Sequence, residues 1–377
     1  FLTSLSPFAG IFQLQQANAL HDKGFQVGVI APGVITPRFL FRRYGYSEYE
    51  ALNGYPVYRR YVRKLYPQRM VPVGKSISFY KKLGLELYRL YKKEIGKPDI
   101  IHAHNFKFAS FIAQAIHHED NIPYIITGHS YPARSNILSQ DWVSAIKRNF
   151  QQASAITAVS KALAREIEKE FGVHGVDILP NIVDSALLTS PLEKHNDSKR
   201  NFIFLNIASL DTNKNQANLI EAFALHFKDK RVSLRIGGNG SLLGVLRKLV
   251  CRLELENQVT FIGDLDRDII KREMHDADCF VLSSLQETFG VVLIEALACG
   301  TPVISTRSGG PEDIVHEKNG LLVPLGDINS LGEAMVQMTQ TKGQYDAGAL
   351  REECRSRFGD EAFVNNAKKF YMKALEL

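Results

Sequence analysis

Short apolar runs alternate with longer amphipathic stretches along the whole chain, a pattern typical of parallel sheets covered by helices. In the first half, the apolar runs predict strands at 26–31, 100–103, 124–127 and 155–159. The amphipathic stretches predict helices at 11–23, 76–95, 108–118, 142–152 and 161–171. This half of the chain is therefore predicted to form an α/β domain.

The same alternation restarts in the second half, after a crossover at 178–184 and a polar stretch at 190–200. Strands are predicted at 202–207, 233–237, 258–262, 279–282 and 303–305, and helices at 216–227, 244–253, 269–275, 291–299 and 311–315. The pattern predicts two Rossmann-like domains, 1–183 and 184–358, followed by a helix in 359–377. Ligands of such domains bind beyond the carboxyl ends of the strands, so we expect the active site between them. The sequence contains no GxGxxG, which disfavours a dehydrogenase.

Composition places the chain among ordinary globular proteins. It has 377 residues, of which 45% are hydrophobic and 23% charged, enough for two cores. The four cysteines lack CxxC spacing, which predicts reduced thiols, a cytoplasmic location and no zinc site. No apolar run approaches the roughly 20 residues of a membrane span, and residues 1–5 are too short for a signal peptide. Residues 1–4 resemble the end of a strand whose beginning would precede Phe1.

The net charge of +6 is concentrated between residues 38 and 97. Many Arg and Lys residues, interleaved with aromatic ones, are balanced there only by Glu48, Glu50, Glu86 and Glu94. Two interpretations are open. The basic aromatic region 38–97 can contact an anionic membrane surface, which would place the protein peripherally at the inner face of the plasma membrane. Alternatively, it is a solvated helix whose aromatics face the core. No DNA- or RNA-binding motif accompanies the charge, so nucleic acid is not an expected partner.

Two carboxylates, Glu287 and Glu295, bracket an uncharged segment. Glu287 precedes the predicted helix and Glu295 lies within it, so the two can lie roughly 10 Å apart, the scale of a nucleotide sugar. The helix start at Phe289 and Gly290 suits an anionic ligand, because its amides lack partners inside the helix. The alternative is a solvated Glu287 and a Glu295 that forms a structural ion pair.

Other segments carry candidate chemistry at the ends of predicted strands. The loop ending at Gly10 lets backbone amides approach a phosphate, or is only a tight turn. His102 and His104 follow a strand but lack the further ligands that a metal site needs. Lys214, in the loop after the strand 202–207, can reach a diphosphate as a point charge, or is a solvated surface lysine.

Together, these segments resemble the retaining, family-4-type glycosyltransferases of the GT-B fold. The segment 287–305 resembles their E-x7-E motif, and the remaining similar segments, in order, are 7–12, 99–104, 123–129, 180–184, Lys214, 237–240 and 309–313. The resemblance covers nearly the whole chain. It implies an α/β GT-B fold in which two Rossmann-like domains face each other across a deep cleft and the helix in 359–377 crosses back to the first domain.

The resemblance also implies roles for individual residues. Glu287 would hold the donor sugar, Glu295 would bind the ribose, Lys214 would neutralise the leaving diphosphate and His104 would lie beside the transferred sugar. His102 would be structural, and His129 is a weaker active-site candidate. The further donor-binding residues would be Gly10, Ser209, Gly238, Asn239, Thr288, Phe289, Gly290 and Val291. At Ser209 the chain departs from the family, which commonly has an arginine there; Arg235, Arg267 and Arg307 are possible substitutes.

The implied activity is retaining hexosyl transfer, without a metal or other cofactor, from a UDP- or GDP-sugar. The acceptor would be a glycan or a lipid-linked molecule in bacterial cell-surface polysaccharide synthesis. Three alternatives remain open at this point: a sugar-nucleotide epimerase of the same fold, a phosphorylase, and a catalytically weak sugar-binding protein, which the serine at position 209 slightly favours.

Overall fold

The computed structural model describes residues 10–35, 47–63, 71–131, 139–192 and 200–376. The chain forms two compact units. Unit 1 comprises Phe1–Pro180 with Phe363–Leu377, and unit 2 comprises Asn181–Ala362.

Unit 1 contains two sheets. Strands β1 (Val29–Ile35), β2 (Ser47–Leu52) and β3 (Tyr55–Arg63) form one sheet in the order β1-β3-β2, in which β1 and β3 are parallel and β2 and β3 are antiparallel. Strands β4 (Ile101–His104), β5 (Tyr124–Gly128), β6 (Ala155–Ala158) and β7 (Asp177–Ile178) form the other, a parallel sheet in sequence order. The accompanying helices are α1 (Ile11–Asp22), α2 (Val73–Glu94), α3 (Ala109–Asp120), α4 (Gln140–Phe150) and α5 (Lys161–Phe171).

The hairpin of β2 and β3 was not predicted. Its turn is Asn53-Gly54, and both residues have positive φ, 49° and 91°. Such a pair is a strong hairpin signal, because both central residues of a type I′ turn need this conformation. The dense charge around the turn obscured the strand pattern on either side of it.

In the described part of the basic aromatic region, several aromatics are buried, whereas Tyr49 is 60% exposed. Tyr55, Tyr58 and Tyr88 are at most 2% exposed. Several basic residues are engaged in ion pairs, including Arg60 with Glu86. Residues 47–63 form strands rather than the helix of the alternative interpretation, whereas α2 is a helix as predicted. Residues 38–46 and 64–70 lie outside the described residues, and membrane contact stays a prediction.

Unit 2 contains one parallel sheet. Its strands are β8 (Phe202–Ile207), β9 (Val232–Gly237), β10 (Val259–Gly263), β11 (Cys279–Leu282), β12 (Val303–Thr306) and β13 (Gly320–Val323), in the order β10-β9-β8-β11-β12-β13. The helices are α6 (Ser185–Leu188), α7 (Gln216–Phe227), α8 (Leu243–Arg252), α9 (Arg267–Asp276), α10 (Val291–Ala298), α11 (Ile328–Thr341) and α12 (Ala347–Phe358). The predicted helix at 311–315 is a 3-10 turn at Gly310–Asp313.

The centre of this sheet is buried on both faces. Phe204 in β8, and Phe280 and Val281 in β11, are fully buried. Helices cover both faces of a parallel sheet, so its strands are continuous apolar runs rather than alternating ones. This explains why the five strands predicted in this half coincide closely with the observed ones.

The last helix, α13 (Asp360–Leu375), belongs with unit 1 from residue 363 onward. Its buried Tyr371 hydroxyl lies 2.9 Å from His102 Nδ1, and its ring contacts that of Phe25 edge-on. The final helix therefore returns to the first unit, as predicted. Among the helices that the structure describes, none is long and apolar enough to cross a membrane.

Candidate active site

Most predicted donor-site residues lie in four loops at one edge of the unit 2 sheet. Because β9, β8, β11 and β12 are neighbours and parallel, the loops after their carboxyl ends are adjacent. These loops contain Ser209 and Lys214, Gly238 and Asn239, the segment 287–291, and the segment 308–310. The fold therefore brings together residues that are up to 101 positions apart in sequence, from Ser209 to Gly310.

An ion pair occupies the middle of this edge. Lys214 Nζ lies 2.5 Å from Glu287 Oε1, and the two side chains are 22% and 13% exposed. Three hydrogen bonds fix the two loops together: Asn213 Nδ2 donates to the Gln286 carbonyl (3.0 Å), Leu285 N donates to the Asn213 carbonyl (2.7 Å), and Ser283 Oγ donates to the Lys214 carbonyl (2.8 Å). The charges are thus held in place by the backbone around them.

Asp211 organises the loop that carries Lys214. Its carboxylate accepts hydrogen bonds from Ser209 Oγ (2.6 Å), Asn213 N (2.9 Å) and Lys214 N (3.2 Å). Burial favours a higher pKa for Asp211, but these hydrogen bonds outweigh it and lower the pKa below its ordinary value. Sequence reasoning missed Asp211, although Asp-x-Asn is a common turn signal. The serine at 209 is here a partner of Asp211, and its role toward a donor stays a prediction.

The backbone of Glu287 is bound to the loop after β12. Glu287 N donates to the Ser308 carbonyl, and Gly310 N donates to the Glu287 carbonyl, both at 2.8 Å. A Cβ at Gly310 would lie 2.3 Å from Phe289 Cα, so only glycine permits this close approach. Phe289 is 1% exposed, and its ring contacts Phe358 edge-on. Phe289 therefore anchors the loop, while its neighbour Thr288 is partly exposed.

Helix α10 starts directly after this anchor. Gly290 is its N-cap residue with φ 99°, a conformation that favours glycine. The amides of Val291 and the residue after it open the helix, where no carbonyl of the helix itself can accept from them. The positive end of the helix dipole thus lies close in sequence to Glu287 and suits an anionic group.

Glu295 lies further along α10 and is partly exposed. Burial raises its pKa to about 7; nearby Arg267 opposes this increase and Asp184 adds to it. Arg267 Nη1 and Asp184 Oδ2 form an ion pair at 2.6 Å. None of the ion pairs in the described residues includes Glu295. The alternative in which Glu295 belongs to a structural ion pair is therefore not what the structure contains.

The loop after β9 packs on the loop after β8. Gly238 has φ 113°, and a Cβ there would lie 2.0 Å from the Ala208 carbonyl oxygen. Asn239 accepts from Leu210 N through its carbonyl (2.9 Å) and donates to Asp264 through Nδ2 (3.1 Å). Both predicted residues thus lie at the same sheet edge as the ion pair.

Three arginines were possible substitutes for the cation absent at Ser209. Arg235 pairs with Glu273 at 2.9 Å, and Arg267 pairs with Asp184. Arg307 is exposed, forms no ion pair with any residue that the structure describes, and follows β12 directly. Arg307 therefore has the most available charge of the three.

Unit 1 holds the remaining predicted residues. His104 Nδ1 lies 3.0 Å from His129 Nε2, and the ring of His102 stacks on that of His104 with centroids 4.3 Å apart. Burial lowers the pKa of His104 to about 4, so its ring is neutral at pH 7. Gly10 is the N-cap of α1, with φ 79°, and residues 6–9 of its loop lie outside the described residues.

Unit 1 contains a cavity of about 640 Å³. Its lining includes residues of β1 and β4, which are edge strands of their respective sheets, and extends to Asn105, Lys107 and Phe108 beyond the end of β4. Within the described ranges, no cluster of three or more His, Cys, Asp or Glu side chains could hold a metal ion.

Comparison with known proteins places the chain in a family. The family model described as glycosyl transferases group 1 matches residues 191–357, and that of glycosyltransferase family 4 matches residues 9–187. A Bacillus subtilis glycosyltransferase named for teichuronic acid biosynthesis is 26% identical over 355 residues, which cover 89% of this chain and 86% of the relative.

Solved structures share the fold. Sucrose-phosphate synthase from Thermosynechococcus elongatus superposes with a TM-score of 0.73 at 21% identity, covering 97% of this chain and 93% of that one. An Anabaena protein crystallised in complex with UDP has a TM-score of 0.69 at 19% identity, covering 91% and 99%. The predicted α/β GT-B fold, with two Rossmann-like parallel sheets and a returning last helix, is confirmed. The chain belongs to the group 1, family 4 glycosyltransferases, which are of the retaining GT-B type.

Proposed function

We propose that the protein transfers a hexose from a UDP-sugar, with retention of anomeric configuration, to a glycan or lipid-linked acceptor of a bacterial cell-surface polysaccharide. The observation that carries the proposal is the Lys214–Glu287 ion pair, at the sheet edge where α/β folds bind ligands and just ahead of the start of α10.

The proposed role of Lys214 is to stabilise the diphosphate leaving group. Breaking the bond between sugar and diphosphate develops negative charge on the diphosphate and positive charge on the sugar. In the structure, the Lys214 ammonium group forms an ion pair with Glu287. A bound donor would place its diphosphate beside the same ammonium group. The amides at the start of α10 would share that charge. Because Lys214 and the start of α10 would stabilise the negative charge of the diphosphate, the proposed mechanism needs no metal ion.

The two glutamates divide the donor between them. Glu287, close to Lys214, would accept hydrogen bonds from the sugar hydroxyls near the anomeric carbon and stabilise its positive charge. Glu295, on the second turn of α10, would accept from the ribose hydroxyls. Attack on the same face as the departing diphosphate, with a diphosphate oxygen accepting the proton, retains the configuration.

In unit 1, His104 and Gly10 are proposed to act on the sugar and the phosphate. A histidine that is neutral at pH 7 can donate or accept one hydrogen bond but cannot stabilise an anion by charge. We therefore favour contact between His104 and a sugar hydroxyl over electrostatic stabilisation. His129 Nε2 lies 3.0 Å from His104 Nδ1, so one of these two nitrogens donates a hydrogen bond to the other.

The domain division 1–183, 184–358 and 359–377 and the peripheral position at a membrane are part of the same proposal. The acceptor class is supported by the teichuronic acid relative, and the donor base by the Anabaena neighbour crystallised with UDP. The basic residues of region 38–97 would hold the protein near lipid-linked acceptors.

A thermal-shift screen tests the donor. Ligands that bind only the folded state raise its apparent stability according to their affinity. UDP and UDP-hexoses should raise the melting temperature more than GDP- or ADP-sugars do, and Lys214→Met should abolish the increase. The control Lys228→Gln breaks the exposed pair with Glu254 and should retain the increase. A larger shift with a GDP-sugar would reassign the base, and no shift with any nucleotide would refute the proposal.

One observation favours a second candidate, a sugar-binding protein without turnover. Position 209, where the family usually has an arginine, is occupied by a serine that donates a hydrogen bond to Asp211. The loop after β8 therefore has one cation fewer than is usual. A nucleotide-sugar complex that forms but releases no nucleotide with any acceptor would support this alternative.

A further inference from the structure

The last helix brings one buried polar group to unit 1. Among the buried residues of α13, Tyr371 alone has a polar side chain; the others are Phe363, Val364, Ala367 and Ala374. Tyr371 is 6% exposed, and its hydroxyl oxygen lies 2.9 Å from His102 Nδ1. Because a buried hydroxyl without a hydrogen-bond partner is costly, this contact with His102 is needed wherever the hydroxyl is present.

Tyr371 stands at one end of a chain of hydrogen bonds that leads into the sheet. His102 Nε2 lies 2.6 Å from Thr127 Oγ1, which in turn lies 2.6 Å from Thr157 Oγ1. Thr157 Oγ1 donates to the Ile126 carbonyl at 3.4 Å. Both threonines are fully buried, so the hydroxyls have to satisfy one another.

Only one direction of this chain satisfies every hydrogen. If Tyr371 donates to His102 Nδ1, then His102 Nε2–H donates to Thr127, Thr127 donates to Thr157, and Thr157 donates to a carbonyl. In the reverse direction, the Tyr371 hydroxyl hydrogen would have no acceptor among the residues that the structure describes. Buried polar groups rarely lack a partner, so the first direction is favoured. It gives His102 the proton on Nε2.

The protonation states agree with this direction. Burial raises the pKa of Tyr371, so its hydroxyl keeps the proton that it donates. Burial also lowers the pKa of His102 well below its ordinary value, and the nearby His104 and His129 act in the same sense. The His102 ring is therefore neutral, with one nitrogen that donates and one that accepts.

The ring that this chain fixes lies against His104. The centroids of His102 and His104 are 4.3 Å apart, and the ring planes are inclined by 29°. On its other side, His104 Nδ1 lies 3.0 Å from His129 Nε2. His104 is partly exposed, and its Nε2 forms no hydrogen bond with any residue in the described ranges. That nitrogen is the one that can meet a ligand.

We propose that Tyr371 is a positioning residue for the reaction: through His102, it holds the His104 ring in the orientation in which Nε2 meets a hydroxyl of the transferred sugar. The inference rests on the proposed function, because it takes His104 as a sugar-binding residue. Neither Tyr371 nor His102 is itself assigned to the ligand. A group that is free to tilt away from its productive position loses much of the rate that correct placement provides.

Turnover, measured as UDP release from UDP-glucose, tests the proposal first. Tyr371→Phe removes only the hydroxyl and should lower kcat about fivefold with little change in KM, because the nucleotide is bound by other residues. In a His104→Ala background, the same substitution should have no further effect. Thr127→Val should lower kcat as well, whereas Thr127→Ser keeps the hydroxyl and should retain the wild-type value.

Tyr124→Phe is the matched control. Tyr124 is a fully buried tyrosine of β5 whose hydroxyl donates to Asn149 Oδ1 at 2.8 Å. Its substitution removes a buried hydrogen bond of the same kind and should leave kcat unchanged. A loss of turnover that merely follows from a weakened fold would appear in this variant too.

NMR of the protein with ¹⁵N-labelled histidine gives a readout that does not depend on turnover. His102 should have a protonated Nε2 and an unprotonated Nδ1 in the wild type. The His104 signals should shift in Tyr371→Phe but not in Tyr124→Phe. The two rings are assigned by the signals that disappear in His102→Gln and in His104→Ala.

The outcomes separate the two proposals. If the wild type releases UDP from no UDP-hexose, the proposed function is overturned, and the ring signals still decide whether Tyr371 orients His104. If the wild type turns over, this inference alone is overturned by a proton on His102 Nδ1 or by unchanged kcat in folded Tyr371→Phe. An equal loss of kcat with and without His104 would overturn it as well.

Discussion

Replacing Glu295 with glutamine should stabilise the folded protein at alkaline pH while it weakens nucleotide binding. The charged form of Glu295 is disfavoured in the fold, where burial raises its pKa from the ordinary 4.5 to about 7. A folded-state pKa above the unfolded one gives stability that is present below pH 4.5 and is lost as the pH rises through 7. Glutamine has the same shape but no charge to bury.

The size of the effect follows from the two pKa values. At 1.36 kcal/mol per pH unit, the difference corresponds to at most about 3 kcal/mol at pH 8.5. Partial exposure of the side chain reduces this, so we expect Glu295→Gln to gain about 1–3 kcal/mol there and almost nothing at pH 4.5.

Urea unfolding of the wild type and the variant at both pH values measures this gain. Glu254→Gln is the matched control. It neutralises an exposed glutamate that is paired with Lys228, and it should show no alkaline gain. A Glu295→Gln variant that is less stable than the wild type at pH 8.5, or equally changed at both pH values, would refute the account of a desolvated carboxylate.

Three further substitutions address the sheet edge itself. Lys214→Met keeps the aliphatic stem but removes the charge, and should weaken UDP binding at least tenfold by calorimetry; unchanged affinity would contradict the role of Lys214. Gly290→Ala forces alanine into φ 99° and should cost about 1–2 kcal/mol in urea unfolding, whereas the control Gly244→Ala, in open space on α8, should cost nothing. Arg307→Gln should weaken binding of UDP but not of uridine if Arg307 replaces the missing diphosphate cation, and an equal effect on both ligands would exclude it.

Much of unit 2 could be predicted because its strands are buried on both faces. The run 279–282 is apolar throughout and 202–207 is apolar except for Asn206, and polar or glycine residues mark their ends. Strand β13 and helices α11 and α12 were missed in the same unit. In unit 1, β2 and β3 were missed because charged residues interrupt both strands, Glu48 and Glu50 in β2 and three arginines in β3, and the Asn53-Gly54 turn alone signalled them.

The candidate site divides in the same way. Candidates such as Lys214 and Glu287 could be placed because each follows a predicted strand, and the order of those strands makes their loops adjacent. The Arg267–Asp184 pair and the contact between His102 and Tyr371 join residues far apart in the chain, and local periodicity contains no information about such contacts. The hydrogen bond from Ser209 to Asp211 likewise could not be predicted from the sequence, because the family pattern predicts a phosphate ligand at position 209.

Retention of configuration by the Lys214–Glu287 site is the central claim, and proton NMR of the reaction tests it most directly. With water as the acceptor, a UDP-α-hexose incubated with the wild-type protein should give UDP and the free α-hexose in the first spectra, before mutarotation. Folded Glu287→Gln should give neither at a comparable rate. A β-configured first product, or undiminished turnover by Glu287→Gln, would contradict the account.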